Sequence, residues 1–536
     1  MNLPKDTGNG NVSLTAGAAN FQDSVKEKIA EKPEISLQFS KIDVWFFFFS
    51  LLCGYCFVWL VAPFSLGFGV TVFTVLFFLL AFGYFRAAGI CPPKESYWWL
   101  GVSLLSGINF SLFDQELLKF FNLLFLMACV VYWIADCTET RLEKKLGSFF
   151  TADLVNQFFR VPFLNFGCGF SILGKTAAKS KGSRTLISVF VGILVAIPLL
   201  LVVISLLISA DTTFEGLVLK ISDKISDQAS RFVARLVPAI LVGCYFFGLL
   251  FGNIKKRRVD TVTAEVVEKR REKRKMIPST GVITLNILFC AVYFVFLGAQ
   301  VVTLVSALQK MQPIGVSYAE FARRGFFELC LVAFINLAII GGSKVFSKRD
   351  GKVQENFLKI LTVLLSGQTM LLIVTALGKM WLYIGRYGMT RLRIYTSWFM
   401  VFLFLVFVFL LLSQFKKFNL SKCVVVMGSI LFLLLCYSDT DTMIVRYNIE
   451  RYQSGSLESL DIGEFYSMET AAIPEAIRLY AAEEDPGVRK ELEEFLSDRQ
   501  DWYREKIFEE NNLQRLKARQ MLDELVISGD RIIDPR

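Results

Sequence analysis

A chain of 536 residues with 54% hydrophobic residues, 52 Phe and a mean hydropathy of +0.50 is too apolar for a water-soluble globule of that length. It contains no His, which removes imidazole as general base, proton relay or metal ligand and excludes zinc hydrolysis and His-dependent triads. The formal net charge of +10 joins a basic body to an acidic end, since from Asp439 onward 13 basic residues face 23 acidic ones.

Residues 1–42 are rich in Gly, Asn, Ser, Lys and Glu, lack apolar periodicity, and read as a disordered cytoplasmic leader. They carry no basic-then-apolar signal pattern, so the first span is expected to do the targeting. Eleven apolar runs follow: Val44 to Val61, Gly67 to Tyr84, Trp98 to Phe113, Leu117 to Ala135, Leu186 to Ile208, Leu236 to Phe251, Val282 to Val305, Phe327 to Ile340, Leu358 to Leu377, Tyr395 to Leu412 and Cys423 to Cys436. Most can cross a hydrocarbon core of roughly 30 Å at 1.5 Å per residue, the third and eighth being the short ones. Alternate connecting segments hold 33 Lys and Arg, those between them 12, and the tail 13. Because basic residues in short loops stay cytoplasmic, the N-terminus is expected inside and the tail outside.

The expected organisation is a four-span part over 43–137, a cytoplasmic amphipathic segment over 138–185, a seven-span core over 186–438 and an acidic, helical, extracytoplasmic domain over 439–536. In the amphipathic segment Phe150, Leu154, Phe158 and Val161 share one helical face, with Asp153, Asn156, Gln157 and Arg160 on the other, a pattern for the membrane interface. Gly169 to Thr176 matches the G-x-x-x-x-G-K-T phosphate-loop expression. About 50 residues between two spans leave no room for the α/β domain that such a loop requires, so the match is read as chance. Between Lys255 and Lys275 ten basic residues occupy 21 positions, which suits anionic cytoplasmic lipid at about 1 kcal/mol per residue near the surface. The 11 Cys avoid the tail and the outside loops, which argues against a disulfide framework.

Polar residues within the spans are few: Asn109, Asn286, Gln300, Asn336 and Gln368. No carboxylate lies well inside one, which weighs against ion-coupled transport. In the tail, Val445, Ile449 and Tyr452 mark a short helix capped near Asp439 or Asp441, with Arg446 and Glu450 one turn apart. Asp485-Pro486 opens a second helix that should run to about Leu525.

Three outside segments are dense in polar chemistry: Tyr318 to Leu329, Arg386 to Arg393 and Arg446 to Tyr452. They resemble the hallmark motifs Y-A-R-x-G-F-F-E-L, Y-G-L-T-x-x-R and R-Y-N-I-E-R of a bacterial multi-pass membrane protein family. That family is catalogued as a domain of unknown function, number forty-one seventy-three, with a relative numbered forty-one fifty-three. Asp501-Trp502, Asn512 to Arg515 and Ala518 are similar to its closing W-x-x-x-N-L-x-R-x-x-A element. The chain departs from the pattern at Phe321 and at Arg391, so no shared role is expected there. The resemblance implies a family and no activity.

The candidate site, for an anionic ligand or for a junction between body and tail, comprises Glu320, Arg323, Glu328, Arg386, Tyr387, Thr390, Arg393, Arg446, Tyr447, Asn448, Glu450 and Arg451. Guanidinium groups hold phosphate or carboxylate bidentately, with the glutamates as counter-charges. The same arginines equally suit ion pairs that lock one helix end to the next. No catalytic residue, cofactor or metal site is expected, and no nucleic-acid partner. The function classes that fit are a non-enzymatic cell-envelope sensor partner or assembly scaffold, a carrier for an anionic or lipid-like solute, and an outer-leaflet enzyme acting on lipid-linked phosphate. The expected partners are the bilayer and an envelope protein meeting the tail.

Overall fold

The computed structural model describes residues 39–61, 66–143, 146, 147, 149–177, isolated residues between 192 and 216, 227–257, 259, 272–308, 326–348, 351–457, 459–503, 511–528 and 531–533. Among them, nine helices are long and apolar enough to cross a membrane, and the chain is a membrane-embedded protein. The third predicted run forms a helix of 17 residues, about 25 Å long, and is not one of the nine. The fifth run, Leu186 to Ile208, lies largely outside the described residues. All 11 cysteines are free thiols.

Helices α1 (Lys41–Leu60), α2 (Phe68–Ala87), α3 (Ser96–Leu112) and α4 (Glu116–Cys137) build the first bundle. Ser40 and Asp43 form a capping box that starts α1. Asp43 is buried, accepts the Tyr84 hydroxyl at 2.7 Å and pairs with Lys255 at 3.3 Å. Beside this bundle fold α5 (Phe150–Val155), a π-helical turn at Asn156–Arg160, α6 (Val161–Asn165) and α7 (Cys168–Ala177). Their orientation corrects the amphipathic reading. Asp153 and Gln157 face inward, Asp153 accepting from the Leu142 N–H at 2.8 Å and Gln157 from the Asn253 amide at 2.7 Å, while Val155, Phe159, Phe163 and Leu164 are exposed. Gly169 to Thr176 lies within α7 and follows a helix where a phosphate loop needs a strand; a Cβ on Gly169 would stand 2.1 Å from the Phe47 ring.

Helix α8 (Asp227–Ile254) returns to the first bundle on two small-residue faces. Gly243 meets the Ser50–Leu51 backbone of α1, and Gly54 meets Ala239 and Gly243, with any added Cβ held to between 2.3 and 2.8 Å of those atoms. Gly248 and Gly252, one turn further, receive Pro162 and Asn165 of α6. Without a hydrophobic drive between helices in lipid, such close backbone approach supplies the association.

The second bundle comprises α9 (Ser279–Leu308), α10 (Phe326–Phe346), α11 (Lys352–Tyr387), α12 (Arg391–Phe415) and α13 (Leu420–Tyr437). Its polar residues cross-link helices: Tyr293 donates to Asn336 at 2.8 Å, Asn336 to Thr369 at 2.9 Å and Gln368 to the Cys290 carbonyl at 3.0 Å. Helix α13 joins the two bundles, since Asn109 donates to the Cys436 carbonyl and Tyr437 to the Leu105 carbonyl.

Beyond α13 a separate apolar core gathers Ile444, Val445, Phe465, Leu479, Phe495 and Leu522. It is built by α14 (Thr440–Gln453), α15 (Gly463–Met468), α16 (Ile473–Ala482), α17 (Pro486–Tyr503) and α18 (Leu513–Glu524). Asp439 is the N-cap residue of α14, and Asp485 caps α17 by accepting from the Gly487 N–H at 2.7 Å. The long helix expected from Pro486 is instead two. Asn512 caps the second by accepting from the Arg515 N–H at 2.8 Å, a stronger start signal than the run of helix formers that hides it. Two short antiparallel strands, β1 (Val526–Ser528) and β2 (Arg531–Ile533), follow.

Candidate functional site

The described part of the predicted site gathers where α11, α12 and α14 meet. Helix α11 ends at Gly388, whose φ of +77° favours glycine and against which Asn448 packs, with an added Cβ only 2.6 Å from its Oδ1. Asn448 then reads the backbone of the turn: its Oδ1 accepts from the Met389 N–H at 2.7 Å and its amide donates to the Met389 carbonyl at 2.9 Å. Thr390 caps α12. Arg393 lies over the Tyr383 ring at 4.3 Å and donates to the carbonyls of Tyr387 and Gly388 at 3.0 and 2.5 Å. Arg451, beside the Tyr447 ring, donates to the Gly385 carbonyl at 2.7 Å. Three guanidinium or amide groups from two sequence motifs thus hold one turn of backbone.

The strongest cross-link is one the sequence discounted. Arg391 grips the buried Asp441 with both prongs of its fork, Nε at 2.8 Å and Nη2 at 2.5 Å. Arg446, one turn from Glu450 in the sequence reading, instead donates to Glu475 at 2.8 and 3.2 Å. Glu450 is exposed. Arg386 and Glu328 are exposed as well, at the last turn of α11 and the first turn of α10, and Glu328 acts electrostatically on Lys379. Arg386, Arg393, Arg446 and Glu328 therefore engage different surroundings. Glu320 and Arg323 lie outside the described residues.

A second cluster, absent from the sequence reading, sits beside the first. Asp114, in the turn between α3 and α4, accepts from Lys119 at 2.5 Å, Arg515 at 2.6 Å, Asn512 at 3.2 Å and the Thr470 hydroxyl. Its N–H donates to the Gln514 side chain at 2.7 Å, and the Phe68 N–H donates to the Asn511 carbonyl at 2.8 Å. Burial acts to raise the Asp114 carboxyl, but Lys119 and Arg515 outweigh it and hold the group well below the usual carboxylate range. Asp441 behaves oppositely: burial pushes its carboxyl up, even against the Arg391 fork. Asn512 and Arg515 belong to the closing motif and could have been marked from sequence. Asp114, Asp441 and Glu475 carried no signal of partnership beyond being carboxylates near predicted helix ends.

Chemically the arrangement is a seam between the membrane helices and the tail. Its guanidinium groups are engaged by carboxylates and carbonyls of the same chain. No cluster of three or more Cys, Asp or Glu that could hold a metal ion occurs among the described residues.

A separate feature lies within the first bundle, a cavity of about 440 Å³ enclosed by α1, α2, α4, α8 and the π-turn–α6 segment. Its wall is aromatic and aliphatic, with Thr74 and Tyr245 supplying the hydroxyl groups.

No curated protein and no solved structure matches the chain. One family model, described as "Domain of unknown function (DUF4153)", matches residues 100–479, a stretch that runs from α3 to α16 and takes in Asp114, Arg391, Asn448 and Glu475. The chain belongs to that family.

Proposed function

We propose that this protein is a multi-pass protein of the bacterial cell membrane, N-terminus cytoplasmic and tail extracytoplasmic, that works without catalysis as a sensor partner or assembly scaffold. The observation that carries this reading is the seam. Arg391 on Asp441, Asn448 on Met389, Arg451 on Gly385 and Arg515 on Asp114 fasten the tail to the helix ends, which gives the tail a fixed attitude over the membrane. A rigid, acidic, helical platform of this kind suits docking of an envelope protein more than turnover of a substrate.

Two experiments test it. Reporter fusions after Arg141 and Lys269 should score cytoplasmic and fusions after Gln453 extracytoplasmic; a cytoplasmic score at Gln453 would remove the tail from the envelope. Photo-crosslinkers placed in living cells at the exposed Arg478 and Lys490 should capture a discrete envelope protein. Silence at both, together with full activity of a chain truncated after Ser438, would overturn the reading. A carrier for a lipid-like solute is the second reading, favoured by the apolar cavity in the first bundle.

A further inference from the structure

Helix α18 divides its surface both by face and along its length. Arg515, Ala518 and Leu522 are buried on one stripe, Ala518 and Leu522 in the apolar core of the tail and Arg515 on Asp114. The opposite face is exposed and changes character along the axis. It begins with Leu513 and Leu516, passes through Lys517 and Gln520, and ends with Asp523 and Glu524. A helix whose outer face meets water carries polar residues along all of that face. Here the outer face is apolar at the N-terminal end only, where Leu513 is 53% and Leu516 43% exposed.

Single exposed leucines are ordinary on a protein surface, so their level relative to the membrane decides what they meet. Bonds to two spans fix that level. The Asn511 carbonyl, just ahead of Asn512 and α18, accepts from the N–H of Phe68, the first residue of α2. Asn512 and Arg515 both donate to Asp114, which also accepts from Lys119 of α4. Asp114 precedes Leu117, where the apolar run of α4 begins, by three positions, or about 5 Å at 1.5 Å per residue. Helices α2 and α4 both start here, so the first turn of α18 lies beside the point where two spans enter the bilayer. At that level Leu117, Phe120 and Phe121 of α4 are exposed to a similar degree, between 46% and 57%, and on a span an exposed apolar side chain faces lipid. The other end of α18 leads into the tail, Gln500 of α17 donating to the Leu522 carbonyl at 3.1 Å, and there the outer face is polar.

We infer that the N-terminal turn of α18 is an interfacial foot of the tail, with Leu513 and Leu516 inserted at the headgroup and acyl boundary of the adjacent leaflet and Lys517 on a lipid phosphate. An amphipathic helix rests at this depth when apolar side chains point into the boundary and a flexible cation stays at the phosphates. The tail is then held to the membrane twice, by the seam to the helix ends and by α18 to lipid. The seam alone sets the level of α18, on whichever side of the membrane the tail stands.

The test uses the full chain in vesicles of phosphatidylethanolamine and phosphatidylglycerol that carry a photoactivatable diazirine near the carbonyl end of one acyl chain. Adducts on Leu513 and Leu516 should come within about threefold of those on Phe120 and Phe121, and exceed at least tenfold those on Lys490, an exposed residue of α17. With the diazirine moved to the chain terminus, Phe294, exposed in the middle of α9, should label strongly while labelling of the two leucines falls at least fivefold. Leu513→Gln with Leu516→Gln should leave the adducts on Phe120 and Phe121 unchanged and speed hydrogen exchange at the Phe68 amide at least tenfold, because the seam loses its support from the leaflet. Labelling of Leu513 and Leu516 no higher than that of Lys490 in the unmodified chain would overturn the insertion. Equal labelling of the leucines by the two probes would overturn the interfacial depth, and unchanged Phe68 exchange in the double variant would overturn the hold on lipid.

Discussion

Replacing Asp114 by Ala isolates the seam most cleanly, because Asp114 belongs to the membrane body and Arg515 to the tail. The three side chains are almost wholly buried, with 1% of Asp114, 4% of Arg515 and 5% of Lys119 exposed. Removing the carboxylate leaves two ammonium-type charges buried a few ångströms apart, and an uncompensated buried charge costs about 3–5 kcal/mol. The chain can relieve that cost by letting the tail lift, which returns Arg515 to water. A penalty of 3 kcal/mol corresponds to more than a hundredfold shift in favour of the lifted state, at about 1.4 kcal/mol per tenfold. The Phe68 amide reports it directly, since its hydrogen bond to the Asn511 carbonyl exists only while the tail is docked. Hydrogen exchange at Phe68 should accelerate by two orders of magnitude or more in Asp114→Ala, and much less in a variant carrying Asp114→Ala together with Arg515→Leu. Unchanged exchange at Phe68 in Asp114→Ala would refute the reasoning, because a buried carboxylate with two cationic partners cannot be removed silently.

Other consequences follow from the same geometry. Arg446 is 55% exposed, so Arg446→Ala should leave the thermal midpoint nearly unchanged; a loss as large as that of Asp114→Ala would mean that the Glu475 pair is structural. Docking should also depend on pH with opposite signs in two windows. Asp441 is raised when docked, so acidification from neutrality toward the ordinary carboxylate range favours docking; Asp114 is depressed, so its contribution persists through that range and is lost only as pH falls below it, visible as Phe68 exchange that first slows and then rises steeply. Gly54→Leu and Gly243→Leu should each destabilise the first bundle by at least about 1–3 kcal/mol, the usual cost of overpacking, because the α1–α8 backbones already meet. A thermal midpoint within a degree of the parent for both would show that these helices are not in contact.

What hydropathy can convey, it conveyed: nine of the expected runs became long apolar helices, because burial in lipid needs nothing but length and apolarity. The motif residues Asn448, Arg393 and Arg451 could also be placed at one end of the bundle, since Arg393 stands just before the tenth run and the other two follow the eleventh. Their partners could not. Asp114 and Arg515 are 401 positions apart and Arg391 and Asp441 are 50 apart, and one sequence holds no record of which carboxylate answers which cation. Arg391 shows the hazard of judging a residue by its departure from a family pattern, as its fork depends on Asp441 and not on the pattern. Asp153 and Gln157 show another, because periodicity finds a polar face without revealing that Leu142 and Asn253 await it inside. The cavity left no trace in sequence at all, being the space between side chains that individually read as ordinary span residues.

The central claim is that Arg391, Arg451 and Arg515 are a fastening between membrane body and tail, and a double-mutant cycle on Arg391 and Asp441 tests it most directly. Removing one partner of a largely buried bidentate pair strands the other, so Arg391→Ala and Asp441→Ala should each destabilise strongly while the double variant costs little more than either alone. The account predicts a coupling energy of at least about 2 kcal/mol, within the range for residues in direct contact. Strict additivity of the two substitutions would contradict it.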